Sequence, residues 1–295
     1  MVRNQPAILA PVPPVGRFLS FDLDEEGSAR SVADALARLT VHDEIVVGIG
    51  APLASALGSG FARLRPFPAL RGKVAVPSTQ RAVWAFFSGD DAGELVLRAR
   101  ALSDALGKGA RLVEDVATFR YREGRDLTGY EDGTENPKDA RAIEVAIASG
   151  LGASLDGSCF VAVQSWSHDL AAFSRMGARE QDLAIGRARA TNEEIADAPS
   201  SAHVKRAAQE SFEPEAFMLR RSMPFGSALD HGLYFVAFGA SLDPFERVLS
   251  RMVGLEDGTS DALFRFSRPT TGAYYWCPPL REDGRLDLRA LGVTG

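Results

Sequence analysis

Residues 82–107 read AVWAFFSGDDAGELVLRARALSDALG. A short apolar run is followed by an acidic turn and then by apolar residues at helical spacing. The first part suits a buried strand and the last an amphipathic helix. The pattern recurs three times. RFLSFDLDEEG precedes SARSVADALARLT (17–40), CFVAVQSWSHD precedes LAAFSRMG (159–177), and LYFVAFGASLDP precedes FERVLSRMVG (233–254). Asp24, Asp91, His168–Asp169 and Asp243–Pro244 stand where a helix start wants a capping oxygen or a compatible proline. Further strands are expected at 44–49 and 117–121. Strand–helix–strand units occurring in pairs predict an α+β chain with a duplicated ferredoxin-like (βαββαβ) fold, its antiparallel sheets packed with helices. The expected parts are an N-terminal arm at 1–16, one half at 17–125, a glycine- and acid-rich loop segment at 126–154, and a second half at 155–295.

Composition narrows the function. The 295 residues carry a formal net charge of −6 and 45% hydrophobic side chains. No basic stripe of the kind that tracks phosphates is present, which argues against a nucleic-acid partner. The two cysteines, Cys159 and Cys277, have no metal-ligand spacing and predict reduced, buried thiols. The first seventeen residues lack a continuous apolar core and contain four prolines, so they predict an extended arm rather than a leader. No run of about 18 apolar residues suggests a membrane helix. The expected compartment is the cytoplasm.

Three short motifs carry candidate chemistry. The first is Gly129-Tyr130-Glu131-Asp132-Gly133-Thr134-Glu135-Asn136-Pro137. Its glycines let backbone approach a ligand and expose a carboxylate. By itself it also reads as a solvated acidic turn, and it lacks the ligand spacing of a calcium-binding EF-hand. The second is Ala202-His203-Val204-Lys205-Arg206, whose histidine by itself suits a polar surface. The third is Leu219-Arg220-Arg221-Ser222-Met223-Pro224, whose arginines by themselves suit an exposed ion pair.

Taken together, in order and spacing, the three motifs resemble the B class of the dye-decolorizing haem peroxidases. The resemblance covers nearly the whole chain and implies a haem pocket between the packed elements. It makes Asp132, in GYEDG, the distal aspartate. His203, in HVKR, becomes the axial ligand of the iron in a haem b, one per chain. Arg220 and Ser222 complete the distal pocket. Arg187, in Ile185-Gly186-Arg187, would meet a haem propionate, with Thr134 as a further haem contact. Asp261 is the candidate carboxylate behind His203, with Asp257 as the alternative. Glu135 and Glu215 could line a pore and bind a cation, or be solvated acids. Trp84, Trp166, Trp276, Tyr274 and Tyr275 could relay electrons to the surface, or be core. His168 could cap a helix or contact the haem edge.

The chemistry agrees with this assignment. A peroxidase must carry a proton from one oxygen of peroxide to the other, which asks for a general base that then serves as acid. A fixed cation must stabilise the departing oxygen. The expected activity is reduction of hydrogen peroxide through a ferryl intermediate with one-electron oxidation of small organic reductants such as dyes or phenolics. A haem carrier or sensor without turnover is the alternative, and chlorite dismutation is disfavoured by the GxxDG motif. A homo-oligomer is expected, the proline-rich arm crossing to a neighbour. The ending Leu291-Gly292-Val293-Thr294-Gly295 shows no docking peptide, so packaging in a protein nanocompartment is not expected.

Overall fold

The computed structural model describes residues 3–24, 28–61 and 63–294. Its strands are β1 (Val15–Leu23), β2 (Ile45–Ile49), β3 (Leu70–Arg71), β4 (Ala75–Val76), β5 (Val83–Gly89), β6 (Ala110–Phe119), β7 (Cys159–His168), β8 (Leu219–Arg220), β9 (Met223–Gly226), β10 (His231–Gly239), β11 (Ser267–Pro269) and β12 (Ala273–Cys277). Its α-helices are α1 (Ala29–Arg38), α2 (Ala51–Ala56), α3 (Ala92–Leu106), α4 (Asp139–Ala146), α5 (Leu170–Arg175), α6 (Ala178–Ile185), α7 (His203–Arg206) and α8 (Asp243–Met252).

The two βαββαβ halves are visible in the strand order. The first runs β2-β5-β1-β6 and the second β12-β7-β10-β9, all antiparallel. The halves join where Trp276 of β12 faces Ile49 of β2 and where Thr118 of β6 faces Phe225 of β9. Because β10 also pairs with β7, the sheet closes into a ring. Closure removes the open edges that would otherwise invite pairing with other chains.

Alternation along the strands sorts side chains between two cores. Phe18, Val46, Trp84, Phe86, Val161, Tyr234 and Tyr275 fill the ring's interior. There Phe18 stacks on Tyr234 at 4.1 Å and on Phe86 at 4.5 Å. Their neighbours Leu19, Phe21, Val47, Ala85 and Phe160 face outward into the helix-covered core with Val32, Leu36, Leu95 and Leu102. Each fully buried aromatic or aliphatic side chain stabilises by roughly 1.5–3 kcal/mol.

Several expectations need correcting. The strand expected at 117–121 is the end of β6, which begins at Ala110. The acidic turn expected after the first strand falls partly on residues 25–27, outside the described residues, and the cap of α1 is Ser28, which accepts from the Arg30 amide. Asp91 and Asp169 cap α3 and α5 as expected. The arm does not extend away. Ala7 and Ile8 are buried against the ring's interior cluster, and the Gln5 side chain is fully buried. Its amide nitrogen donates to the carbonyls of Val47 and Pro278, and its amide oxygen accepts from the Val47 amide. Gln5 therefore bridges the seam where β12 and β2 share a single residue pair. Trp84, Trp166, Trp276, Tyr274 and Tyr275 are all buried, so none lies on the surface.

Candidate active site

Outside the ring, α6, α7, α8 and the 124–136 loop enclose a cavity of about 350 Å3. Its floor is apolar, with Leu233 and Phe235 from β10 and Val248, Leu249 and Met252 from α8. Its polar lining gathers residues from all three sequence motifs: Asp132 and Thr134, then His203, then Arg220.

His203 opens α7, a single turn held in place from several sides. The Arg206 side chain is buried, donates twice to the Asp257 carboxylate at 2.8 and 2.9 Å, and also reaches the Arg251 carbonyl. Gly186 follows α6 with φ 93°, in the left-handed region. A Cβ there would lie 2.1 Å from a methyl of Val204, so only glycine lets α6 end this close to α7. Asp261 accepts from His203 Nδ1 at 2.7 Å, while its other oxygen caps the following turn at the Leu263 amide. Asp257 is committed to Arg206, which separates the two proximal candidates. Burial, the largest single influence on His203, disfavours its charged form. The charge and hydrogen bond of Asp261 outweigh that, and the pKa is raised above the ordinary imidazole value.

A second histidine lines the same cavity. His168 is bonded through Nδ1 to Ser267 at 2.7 Å and through Nε2 to Asp126 at 3.0 Å. Both its ring nitrogens are occupied, whereas Asp261 engages only Nδ1 of His203 and leaves Nε2 for a ligand. Burial pushes the Asp126 carboxyl upward, but His168 and Thr128 together hold it below the usual carboxylate range.

On the other side, Arg220 Nη1 lies 3.9 Å from Asp132 Oδ1, an ion pair beyond hydrogen-bond reach. Arg220 Nε is buried with no partner, a polar atom that a ligand would satisfy. The Arg220 backbone is gripped at both ends by Asn136, whose Oδ1 accepts from the Arg220 amide at 2.8 Å and whose Nδ2 donates to its carbonyl at 3.0 Å. Asp132 is carried on a loop braced by Arg125, which donates to the Gly129 carbonyl and to Glu131. The Tyr130 hydroxyl anchors that loop to α6 through Asp182 at 2.5 Å.

At the rim, Arg187 donates to Glu135 at 2.6 Å and to the Asn192 carbonyl at 2.9 Å. Asn192 also donates to the Thr134 hydroxyl at 2.9 Å. Two expected residues stand elsewhere. Glu215 is exposed and paired with Arg141 at 3.1 Å, so it does not line the cavity with Glu135. Ser222 lines a smaller cavity of about 40 Å3 that it shares with Asp132, Asn136 and Arg220, and its hydroxyl accepts from the Val236 amide at 3.4 Å. Among the described residues, no three His, Cys, Asp or Glu side chains converge as a metal cage.

A histidine nitrogen free for a ligand, an apolar floor, a half-buried guanidinium with an unpartnered Nε and an arginine at the rim suit a haem. The family model for the C-terminal part of Dyp-type peroxidases matches residues 123–282. The chain belongs to the DyP-type peroxidase family. The dye-decolorizing peroxidase of Brevibacterium linens is 32% identical over 80% of this chain and 67% of its own length. That of Mycobacterium tuberculosis is 29% identical over 95% and 89%. Among solved structures, a dyp-type peroxidase from Shewanella oneidensis covers 100% of both chains at 27% identity with a TM-score of 0.86. DypB of Rhodococcus jostii RHA1, described in a variant complex with heme, covers 92% of this chain and 95% of its own at 29% identity and TM-score 0.84. The α+β architecture of this DyP-type peroxidase is thus that of its relatives, and its activity is dye-decolorizing peroxidase activity. The alternative of a haem carrier without turnover falls with that result. Among the described residues no helix is long and apolar enough to cross a membrane.

Proposed function

We propose that the cavity takes one b-type haem per chain through Nε2 of His203, and that Asp132 and Arg220 act on hydrogen peroxide while small organic reductants supply electrons. The observation that carries this is one cavity lined by His203, with Asp261 bonded behind it, and by the Asp132–Arg220 pair. When bound, a haem supplies the redox-active iron. Asp261 fixes the His203 tautomer by accepting from Nδ1, which leaves the Nε2 lone pair free and makes it a stronger donor. Asp132 has no hydrogen bond to Arg220, so its carboxylate is available to take a proton from one peroxide oxygen and return it to the other. Arg220 cannot accept a proton and instead stabilises negative charge on the departing oxygen. Arg187 and Thr134 would meet the propionates at the rim, Arg187 sharing or exchanging Glu135. Ser222, which lines the smaller cavity with Asp132 and Arg220, would complete the distal polar lining. The likeness to DypB supports membership of the B class.

Stopped-flow mixing of haem-loaded variants with peroxide tests the division of labour. Loss of a fixed charge at a departing oxygen typically costs ~3 kcal/mol, about a hundredfold or more in rate. Arg220→Leu is expected to slow peroxide reduction at least as much as Asp132→Ala, with haem retained in both. Parent-like speed in Arg220→Leu together with loss in Asp132→Ala would reverse the assignment. We further infer a cytoplasmic homo-oligomer. The arm does not support the oligomer, because residues 5–8 pack on their own chain, and the inference rests on the family alone. Light scattering that returns the 31.6 kDa monomer mass would overturn it.

A further inference from the structure

The two cysteines stand far apart in the chain, yet Cys277 of β12 is directly opposite Cys159 of β7. Both are reduced and fully buried, and both belong to the ring's interior cluster. We propose that Cys159 and Cys277 form a reversible site of peroxide oxidation, closing to a disulfide inside the ring when peroxide outruns the reducing substrate.

The geometry sets the terms. Directly opposed residues of an antiparallel pair have Cα atoms about 4.5 or 5.5 Å apart. Disulfides span Cα separations of about 4.4–6.8 Å. Their Cβ atoms must come within about 3.5–4.5 Å, whereas opposed residues on a flat pair hold them at about 4.5–5.5 Å. Closure therefore asks β7 and β12 to approach by about 1 Å, and a bond made this way is strained and easily reduced. The Cys159 thiol has only long contacts to leave, to the carbonyls of Phe160 at 3.4 Å and Gly239 at 3.6 Å. Burial, and then the Cys159 thiol beside it, raises the Cys277 thiol above its usual range. Thiolate is the nucleophile, so the reaction is slow and a few turnovers' worth of peroxide leaves the pair reduced.

The oxidant is the enzyme's own substrate. One sulfur attacks a peroxide oxygen and the O–O bond breaks, giving a sulfenic acid and one water, with the thiol proton passing to the departing hydroxide. The neighbouring sulfur then displaces the sulfenic hydroxyl, which leaves with that thiol's proton as a second water while the S–S bond forms. Two thiols are oxidised by two electrons and one peroxide is reduced to two waters. Both thiols are fully buried, so the reaction requires a transient local opening of the ring that admits a molecule as small as peroxide.

Incubation of the full-length haem-loaded enzyme with excess peroxide and no reducing substrate tests this. The reaction is stopped with catalase, and the protein is denatured, alkylated and mapped by mass spectrometry. Both cysteines are expected to lose their alkyl adducts together, a linked peptide pair bearing Cys159 and Cys277 is expected to appear, and dithiothreitol is expected to restore both adducts. The haem-free protein should form the same link, because the sulfurs react with peroxide directly. In Cys159→Ser, or in Cys277→Ala if the first does not fold, no intramolecular link should form. Full alkylation of both cysteines after methionines have been oxidised would overturn the proposal. So would separate oxidation of each to sulfinic or sulfonic acid without a link.

Discussion

Arg220 owes its position to a side chain that grips its backbone. Asn136 holds both the amide and the carbonyl of Arg220, so it is a positioning residue for the guanidinium. Misplacing a reacting group by about 1 Å can cost about a hundredfold in rate. Asn136→Ala is expected to slow peroxide reduction by up to about that factor, with haem affinity unchanged. Equal loss of both in a haem titration and a stopped-flow series would refute the positioning role. His203 gives a pH dependence of defined sign. Its folded-state pKa lies above the ordinary 6.5. In the haem-free protein its stabilising contribution is fully present below that value and is lost as pH rises through the raised pKa. Haem ligation runs the opposite way, because only neutral imidazole binds iron. Haem affinity is therefore expected to weaken by up to about tenfold per pH unit once pH falls below the raised value. Titrations across pH check the slope, and a flat profile would contradict it. Asp132, His203 and Arg220 line one cavity, and the sequence marked them as candidates because each sits in a short motif at a set spacing. Asn136 and Arg206 lie in the same motifs but act through another residue's backbone or carboxylate, a partnership that appears only when the chain folds.

The strand–helix units were legible as elements because buried strands alternate and amphipathic helices repeat. The first half of β6 was not, since the charged Arg111, Glu114 and Asp115, the first and last of them exposed, blur the alternation. Neither was the break between α5 and α6 at Met176–Gly177, where the sequence suggests one short helix. The N-terminal segment differs most from expectation. Prolines suggest a free arm, but one buried glutamine ties it across the β2–β12 seam. Removing one partner from a buried hydrogen bond costs about 1–3 kcal/mol. Gln5→Ala is expected to destabilise the protein by about that amount, measured by urea unfolding. A change below about 0.5 kcal/mol, the usual range for surface substitutions, would show that the seam does not depend on it.

At the scale of the molecule, two halves of one pattern close into a ring, and the second half carries the cavity on its outer, helix-covered face. The ring was not legible in the sequence. Its two seams rest on single residue pairs between distant strands, and no local periodicity announces them. The same long-range closure brings Cys159 opposite Cys277, which spacing alone left unrelated. The cavity also gathers distant parts of the chain: residues 126–135, α7, β8 and the turn after Asp261 meet only when the loop segment folds over the second half. We propose that His203, backed by Asp261, holds the iron of a haem in that cavity. Absorption spectra of the parent and of His203→Ala, each titrated with haem b, test it most directly. One tightly bound haem per parent chain is expected, with a Soret band that is lost or strongly weakened and shifted in the variant. Full haem retention with an unchanged spectrum in His203→Ala would contradict it.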